Sequence, residues 1–530
     1  MMIMITEPAR TSTETNSQVP RGQRAIALVL AAVAGAAVMV VELGVARILT
    51  PVFGGSITVW ALVIATTMLA LAAGYMFGGR RADLKGGIYV AQRAAIYGAL
   101  LCASIPLVRR PLIEVTIDLS TVAGAAISAV VLIAPSLFFL SQVSPALIRG
   151  LSSGGAGHIG GTAGGVYAIS TMGSLVGTLA AVWMLLYTPL SVTFIGTAFI
   201  TATTAIVLKP HLGTASLLVV MLSVAMIFSL GTNGQKLSAL NARGEICTLV
   251  EKRHSLYGEI KVLERNGDYR YMVANGFDQG GIYIPTGLST YNYDDALIAV
   301  VDLYLEQPES ALIIGLGPGV MAKTLAQARV SVDVVEIDSE VLSAAREYFG
   351  YTGDAEIDDG RRFLQRSDHR WDVIFVDAFL GGSPPWQLYT REAFESYRSH
   401  LEHGGVVVLN LVGNHLDPDQ LPALASVAAT ARTVFPTVDI YPDPWESDDY
   451  PTRNIFLAVS NRPRLKPLKP GSPTQADTLV DALARSRPIK IAPGRVLTDD
   501  SAPLEPLVRR TTEILRSRAR EYLPLSLLIE

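Results

Sequence analysis

The stretch that decides the fold reads Pro308-Glu-Ser-Ala-Leu-Ile-Ile-Gly-Leu-Gly-Pro-Gly319, and a helical pattern follows it. A short apolar run ends in three glycines, Gly315, Gly317 and Gly319. Because glycine adopts backbone conformations that other residues avoid, such a loop can turn sharply and approach a bound molecule closely. This order of strand, glycine loop and helix predicts the first unit of a parallel, doubly wound α/β sheet.

Two further apolar runs each end on an acidic residue. Val332-Asp-Val-Val-Glu-Ile-Asp338 contains Glu336, and Trp371-Asp-Val-Ile-Phe-Val-Asp377 ends on Asp377. In a doubly wound sheet, ligands bind at the carboxyl ends of the strands, so both acids are expected at one binding crevice. Glu336 lies about twenty residues after the glycine loop, a distance that suits an acid bound to the hydroxyls of a ribose.

The segment Asp358-Asp359-Gly360 follows where a third strand would end, and an adenine could be recognised there. Pro318 lies inside the glycine loop and no P-loop lysine follows, which argues against a nucleoside triphosphate. The sequence therefore favours a nucleoside cofactor without a large phosphate group, such as S-adenosylmethionine or its decarboxylated form. For the glycine loop alone, a tight turn in any α/β domain remains the alternative.

Composition divides the chain into an apolar half and a polar half. Half of the 530 residues are hydrophobic and only 17% are charged, with the apolar excess before residue 231. The net charge of −4 gives no indication of a nucleic-acid partner. The two cysteines cannot form a disulfide framework, and the histidines lack ligand spacing, so no metal site is predicted.

The apolar half contains about seven runs that approach the roughly 20 residues needed to cross a bilayer. The predicted spans are 25–45, 57–77, 94–108, 121–140, 164–187, 191–208 and 215–230. They are rich in the small residues that let membrane helices pack closely, as in Gly173-Ser-Leu-Val-Gly177. Glu42 and Arg47 are charged residues in or near a span, and a structural pair is favoured over a transport path.

The basic residues near the spans predict a cytoplasmic N-terminus. Seven crossings would then leave the C-terminal half outside, away from nucleoside cofactors made in the cytosol. Either one of these runs does not cross or the charge rule does not hold for this chain. We favour a run that does not cross, which predicts a multi-pass protein of the cell membrane with its enzyme half in the cytoplasm.

The polar half begins with hairpin signals such as Asn266-Gly-Asp268 and Asn275-Gly276 between short alternating runs, which predict a small antiparallel subdomain. The fold class is therefore a transmembrane helical bundle followed by a Rossmann-like transferase domain with a small β subdomain before it. The predicted organisation is a polar segment (1–24), a transmembrane domain (25–231), a linker (232–243), a β-rich subdomain with a lead-in helix (244–306), a Rossmann-like domain (307–460) and a C-terminal linker with a helical tail (461–530).

From about residue 246 to 460, the chain resembles the spermidine synthase, or polyamine aminopropyltransferase, family. The glycine loop, Val335-Glu-Ile-Asp338, Ile357-Asp-Asp-Gly360 and Asp372-Val-Ile-Phe-Val-Asp377 carry this resemblance. The N-terminal half resembles the membrane portion of bacterial proteins that fuse such a domain to a helical bundle. The resemblance implies transfer of an aminopropyl group from decarboxylated S-adenosylmethionine to a small amine.

The same resemblance implies roles for individual residues. Asp377 would be the acid that faces the amine, Glu336 would bind the ribose, and Asp359 and Gly360 would hold the adenine. The other expected cofactor residues are Gly315, Gly317, Gly319, Asp338 and Pro384. The expected substrate residues are Gln279, Tyr293, Asp294, Trp445 and Asp448, although the acidic loop that contains the last two also suits plain exposure to solvent.

The amine half of the pocket departs from the family pattern. Leu380 replaces a second aspartate, Pro318 replaces the acid of the glycine loop, and Gly258 replaces a glutamine. Two alternatives therefore stay open: a methyltransferase that uses intact S-adenosylmethionine, and a membrane transporter or sensor with a non-catalytic nucleoside-binding domain. The expected partners are a small-molecule amine and the lipid bilayer, and formation of a homo-oligomer stays open.

Overall fold

The structure is a computed structural model, and it divides into two compact units that are described separately. The described residues are 19–152, 159–208, 237–379, 382–414, 417–444, 452–466, 478–485, 489, 491 and 493–529. The first unit comprises residues 1–46, 61–112 and 126–233, and the second comprises residues 47–60, 113–125 and 234–530.

Long apolar helices make up the described part of the N-terminal half. They are α1 (Arg21–Phe53), α2 (Ile57–Lys85), α3 (Gly87–Thr116), α4 (Thr121–Ser141), α5 (Val143–Leu151), α6 (Ile159–Tyr187) and α7 (Leu190–Leu208). Counting α4 and α5 together, six of the described stretches are long and apolar enough to cross a membrane. The predicted run 215–230 lies outside the described residues. The third span, predicted at 94–108, is longer than expected because the helix continues to both sides of that run.

Small residues set the packing inside the first unit. A Cβ atom added to Gly173 of α6 would lie 2.0 Å from the backbone oxygen of Ala32 in α1. One turn later, a Cβ on Gly177 would lie 2.4 Å from the Cα of Ala36. Only glycine allows the two helix backbones to approach this closely. The close-packing role predicted for Gly173 and Gly177 is confirmed.

In the second unit, a six-stranded antiparallel sheet comes first. Its strands follow the chain in order: β1 (Ser238–Leu240), β2 (Ile246–His254), β3 (Glu259–Arg265), β4 (Tyr269–Ala274), β5 (Phe277–Tyr283) and β6 (Leu288–Ser289). Both predicted hairpins are present, and Asn266-Gly267 and Asn275-Gly276 have the positive φ angles that tight hairpin turns require. β1 lies within the segment 232–243 that the sequence predicted as a linker, because it pairs with β2.

A seven-stranded sheet with the order β12-β13-β11-β10-β7-β8-β9 forms the core of the second unit. Its strands are β7 (Ser310–Ile314), β8 (Ser331–Glu336), β9 (Glu356–Ile357), β10 (Trp371–Val376), β11 (Leu401–Gly413), β12 (Thr437–Pro442) and β13 (Arg453–Ser460). β7 to β11 pair in parallel, whereas β13 pairs antiparallel with β11 and β12. The Rossmann-like fold predicted from the glycine loop is therefore confirmed.

Helices cover both faces of this sheet. They are α8 (Tyr293–Val301), α9 (Val320–Gln327), α10 (Ser339–Tyr348), α11 (Gly360–Arg366), α12 (Arg391–Ser399), α13 (Pro422–Arg432), α14 (Leu479–Arg485) and α15 (Leu504–Tyr522). The last helix, α16 (Leu525–Ile529), packs on the six-stranded sheet instead. Alternate residues of β10 belong to two separate apolar clusters, Val373 and Phe375 to one and Ile374 and Val376 to the other. Both faces of the strand are thus buried, so a ligand can be reached only from its carboxyl end, where Asp377 follows.

Candidate active site

A cavity of about 620 Å³ lies at the carboxyl ends of β7, β8 and β10. Its wall contains the glycine loop, Glu336, Asp359 and Asp377, which come from four different connections after strands. The parallel sheet brings these residues together because successive strand ends meet at one edge. The single crevice predicted for the two strand-end acids is therefore present.

The glycine loop between β7 and α9 needs its glycines for two reasons. Gly315, Gly317 and Gly319 have φ angles of 100°, 53° and 78°, in the region that favours glycine. In addition, a Cβ atom on Gly315 would lie 2.3 Å from the backbone oxygen of Asp377. The loop therefore passes directly beside the end of β10, and its backbone lines the cavity.

Glu336 is fixed by the backbone at the end of β8. One carboxylate oxygen accepts a hydrogen bond from the amide of Leu316 at 2.8 Å, and the other accepts from the amide of Asp338 at 2.9 Å. Burial raises the pKa of Glu336 to about 6, although these two hydrogen bonds oppose the shift. Each oxygen can accept a further bond, so the side chain is held ready for a pair of hydroxyl groups.

Two other predicted cofactor residues act as helix N-caps. Asp338 accepts from the amide of Glu340 at 2.9 Å and from the hydroxyl of Ser255 at 2.5 Å. Asp359 accepts from the amides of Arg361 and Arg362 at 3.0 and 3.1 Å. Both residues line the cavity, so their side chains position α10 and α11 against it.

Gly360 follows Asp359 at the start of α11. A Cβ atom there would lie 2.6 Å from the side chain of Ile314, so the glycine lets α11 pack against the end of β7. Asp358, the preceding residue, forms ion pairs with Arg362 and Arg366 at 2.8 and 3.2 Å. Two arginines of α11 therefore compensate the negative charge of Asp358.

Asp377 lies at the end of β10 and has one described side-chain hydrogen bond, from the amide group of Asn410 at 2.9 Å. Burial raises the pKa of Asp377 to about 6. Asn410 belongs to β11, which is the parallel neighbour of β10. A carboxylate with a raised pKa beside a cavity is suited to accept a proton near neutral pH.

Tyr293 and Asp294 begin α8 and face the same part of the cavity. Burial and the nearby carboxylate of Asp377 raise the pKa of Asp294 to about 7, although the hydroxyl of Ser289 donates to it at 2.7 Å. Burial and the charges of Asp294, Asp377 and Asp278 raise the pKa of Tyr293 well above its usual range. Three carboxylates therefore surround this tyrosine.

Asp278 and Tyr291 are site residues that the sequence reasoning missed. The hydroxyl of Tyr291 donates to Asp278, which also accepts from the amide of Gly280 at 2.8 Å. Burial raises the pKa of Asp278. Gln279, predicted as a substrate residue, also lines the cavity, and its amide bonds to the backbone of Phe277 at 3.3 Å. The position of Asp278 next to Gln279 was the available signal.

Pro384, predicted as a cofactor residue, is not part of the lining of the main cavity. Pro384 lines a small crevice with Leu411 and Leu424 that adjoins the main cavity, whereas Pro385 lines the cavity itself. Counting from Asp377 does not predict which of the two prolines turns inward. Trp445, Asp448 and Leu380 lie outside the described residues. Among the described residues, no group of His, Cys, Asp and Glu has the arrangement of a metal site.

The departure at Gly258 has a geometric reason. Its φ angle is 148°, and a Cβ atom there would lie 1.9 Å from the side chain of Asn275. Asn275 in turn accepts from the amide of Glu259 at 3.0 Å and donates to the backbone oxygen of Tyr257 at 3.1 Å. The asparagine thus occupies the space in which a larger residue at position 258 would lie.

Residues 291–442 match the family model of the spermine/spermidine synthase domain. The chain carries a spermidine synthase-like domain. Its glycine loop, Glu336, Asp359 and Asp377 all fall within the matched residues, which agrees with the resemblance predicted from the sequence.

Curated relatives match the synthase-like domain over part of their length. A probable polyamine aminopropyl transferase of Bifidobacterium longum is 35% identical over 153 residues, which are 28% of this chain and 33% of the relative. Polyamine aminopropyltransferase 2 of Pseudomonas aeruginosa is 33% identical, over 28% of this chain and 46% of the relative. An N-terminal histidine N-methyltransferase of Emericella nidulans is 30% identical, over 28% of each. The chain thus spans less than half the length of these three relatives.

Among solved structures, a probable spermidine synthase from Corynebacterium glutamicum is 24% identical to this chain, with a TM-score of 0.35. The match covers 40% of this chain and 80% of the other. The crystal structure of a spermidine synthase in complex with the transition state analogue AdoDATO is 17% identical, with a TM-score of 0.34, and covers 43% and 80%.

Proposed function

We propose that the protein transfers an aminopropyl group from decarboxylated S-adenosylmethionine to an amine. One observation carries this proposal: a single cavity joins a nucleoside-type crevice, with Glu336 at its end, to a group of carboxylates formed by Asp278, Asp294 and Asp377. Carboxylates bind ammonium groups by charge-assisted hydrogen bonds, so this end of the cavity suits an amine acceptor. The aminopropyltransferase relatives support the same reaction class.

In this reaction a C–N bond forms to the attacking amine while the C–S bond of the sulfonium breaks, and the thioether leaves. The amine must lose its proton to attack, and we assign Asp377 as the acceptor of that proton. The hydrogen bond from Asn410 orients the carboxylate, and its raised pKa suits it to accept a proton near neutral pH. Alignment of the two reactants in one cavity supplies much of the rate.

Glu336 would hold the ribose hydroxyls of the donor, and the backbone of the glycine loop would lie against the nucleoside. The fit rests on the two backbone amides that orient Glu336 and on the close approach of Gly315 to the end of β10. We expect Glu336→Gln to weaken donor binding, since the amide can accept only through its oxygen and its NH2 group would face one of the two backbone N–H donors.

A methyltransferase that uses intact S-adenosylmethionine is the second candidate. Pro318 favours it, because the glycine loop has no acid there that would repel the carboxylate of the intact donor. The side chain of Pro318 instead packs near Gly280, where an added Cβ would lie 3.1 Å from its ring. The N-methyltransferase relative points the same way.

Calorimetry on the full-length protein in detergent distinguishes the two reactions. We titrate decarboxylated and intact S-adenosylmethionine separately and compare their Kd values. Aminopropyl transfer predicts tighter binding of the decarboxylated donor, whereas tighter binding of the intact donor would assign the domain to methyl transfer.

We also propose that the protein is held in the membrane by its apolar helices, with the synthase-like domain in the cytoplasm, where its donor is made. The opposing argument is the distribution of charge. Residues 47–60, which belong to the same unit as the domain, contain one basic residue, Arg47. The C-terminal end of α2 contains three, Arg80, Arg81 and Lys85, and the positive-inside rule would place that end in the cytoplasm. A fluorescent protein fused to the C-terminus should fluoresce if the domain is cytoplasmic. An alkaline phosphatase fused at the same position should be inactive, and an active fusion would place the domain outside the cell membrane.

A further inference from the structure

The last turns of α1, residues 47–53, belong to the same compact unit as the synthase-like domain. Arg47 donates a hydrogen bond from Nη2 to the backbone oxygen of Gly258 at 3.4 Å. Four residues later, the backbone oxygen of Pro51 is so close to Gly276 that an added Cβ atom would lie 2.2 Å from it. The end of α1 therefore contacts two turns: the turn 255–258 before β3 and the turn 275–276 after β4.

The turn that Arg47 contacts leads directly to the nucleoside end of the cavity. The oxygen of Gly258 also accepts from the amide of Ser255 at 2.8 Å, which closes the turn 255–258. The hydroxyl of Ser255 donates to Asp338 at 2.5 Å, and the amide of Asp338 donates to Glu336 at 2.9 Å. A continuous series of hydrogen bonds thus joins the guanidinium of Arg47 to the carboxylate of Glu336.

The buried carboxylate of Glu259 attracts the guanidinium of Arg47 towards this turn. Glu259, next to Gly258, lines the cavity and acts electrostatically on Arg47. Burial alone would raise the pKa of Glu259, but the ammonium groups of Lys261 and Lys252, at 2.6 and 2.9 Å, hold it below its ordinary value. Glu259 therefore stays ionised across the working pH range and attracts Arg47.

We propose that Arg47 is a positioning residue for the donor site. It holds the turn 255–258 so that Ser255 orients Asp338, and Asp338 in turn keeps Glu336 aligned for the ribose. Arg47 belongs to an apolar helix more than 200 positions before the turn. The residue touches neither reacting atom, so its effect is on donor affinity and not on proton transfer. This inference rests on the proposed function only in that the bound molecule is a nucleoside donor.

The test uses full-length protein in detergent and isothermal titration calorimetry with decarboxylated and intact S-adenosylmethionine. Arg47→Ala should raise the donor Kd about tenfold, because the part-buried hydrogen bond from a charged group to the backbone oxygen of Gly258 is lost. In turnover, the KM for the donor should rise by a similar factor, with kcat at saturating donor and the KM for the amine unchanged. Arg47→Lys should recover part of the affinity.

A double-mutant cycle separates positioning from general destabilisation. Ser255→Ala should raise the donor Kd to a similar extent, and the Arg47→Ala/Ser255→Ala double variant should bind no more weakly than the weaker single variant. Arg80→Ala, which removes an exposed basic residue of α2, is the matched control and should leave donor Kd unchanged. Melting temperatures without ligand report any loss of fold.

Two results would overturn the proposal: fully additive effects of Arg47→Ala and Ser255→Ala, or an unchanged donor Kd in Arg47→Ala. Because binding is measured without turnover, a wild-type protein that binds donor but forms no product would refute the transferase assignment alone. A wild-type protein that binds neither donor would refute both.

Discussion

At the scale of single residues, the carboxylate of Asp377 is the centre of the proposed chemistry. We expect Asp377→Asn to lower kcat by about 10²–10⁴-fold, the usual contribution of a general base, while the donor Kd stays near the wild-type value. Asparagine keeps the shape of the side chain and can still bond to Asn410. Steady-state kinetics together with calorimetry check this, and Asp295→Asn, an exposed acid on the same helix as Asp294, is the control.

Because the pKa of Asp294 is raised to about 7, the stability of the folded protein should depend on pH. The folded state binds this proton more tightly than the unfolded state, where the pKa is near 3.8. Between about pH 4 and 7 the unfolded state therefore holds fewer protons at this site, and wild-type stability falls as the pH rises through that window. Asp294→Asn, which carries no charge, should raise the melting temperature at pH 8 and change it little at pH 4.

Activity should depend on pH in the opposite sense. Asp377 must be ionised to accept a proton, and its pKa is raised to about 6, so kcat/KM should fall as the pH drops through 6. A pH–rate profile measured between pH 5 and 9 tests this. A profile that stays flat from pH 7 to 5 would show that no carboxylate of raised pKa takes the proton.

Sequence reasoning found the residues that follow buried parallel strands and missed those whose position depends on pairing between strands. Glu336 and Asp377 end apolar runs, so their meeting at one edge follows from the fold class. Asn410 reaches Asp377 only because β11 lies beside β10, and Asp278 reaches the cavity because β5 folds back over it. The pairing that brings Asn410 to Asp377 has no signal in the linear sequence, whereas the position of Asp278 next to Gln279 was the one available for that residue.

At the scale of elements, the connection from β7 to α9 has no space for a side chain at its first glycine. Gly315→Ala would place a Cβ 2.3 Å from the backbone oxygen of Asp377 at a φ angle of 100°. We expect it to destabilise the protein by about 1–3 kcal/mol or more and to weaken donor binding. Gly161→Ala, in a helix with no atom within 4 Å of the added Cβ, is the control for thermal unfolding.

At the scale of the whole molecule, one compact unit is assembled from three separate pieces of chain. The sequence placed the boundary between the two halves near residue 231, where composition changes. The structure groups residues 47–60 and 113–125 with residues 234–530. Composition could not reveal this, because the ends of apolar helices look like the rest of those helices. Contacts between the pieces show the grouping, such as the hydrogen bond that the backbone amide of Ile57 donates to the carboxylate of Glu505 at 3.0 Å.

This assembly predicts that residues 234–530 expressed alone are incomplete. They lack Arg47, Pro51 and the partners of Arg516, which donates to Thr121 at 2.8 Å. We expect the isolated segment to melt at a lower temperature than the same domain within the full chain and to bind donor more weakly. Differential scanning fluorimetry and calorimetry on both proteins check this, and equal values would mean that the helix ends contribute nothing.

The central claim is that the cavity joins a nucleoside donor to an amine through Asp377. The most direct test is mass spectrometry of products formed by full-length protein from decarboxylated S-adenosylmethionine and a panel of amines, in parallel with Asp377→Asn. We predict an acceptor heavier by one aminopropyl group with the wild-type protein and almost none with the variant. An acceptor heavier by one methyl group from intact S-adenosylmethionine, or equal product from Asp377→Asn, would contradict it.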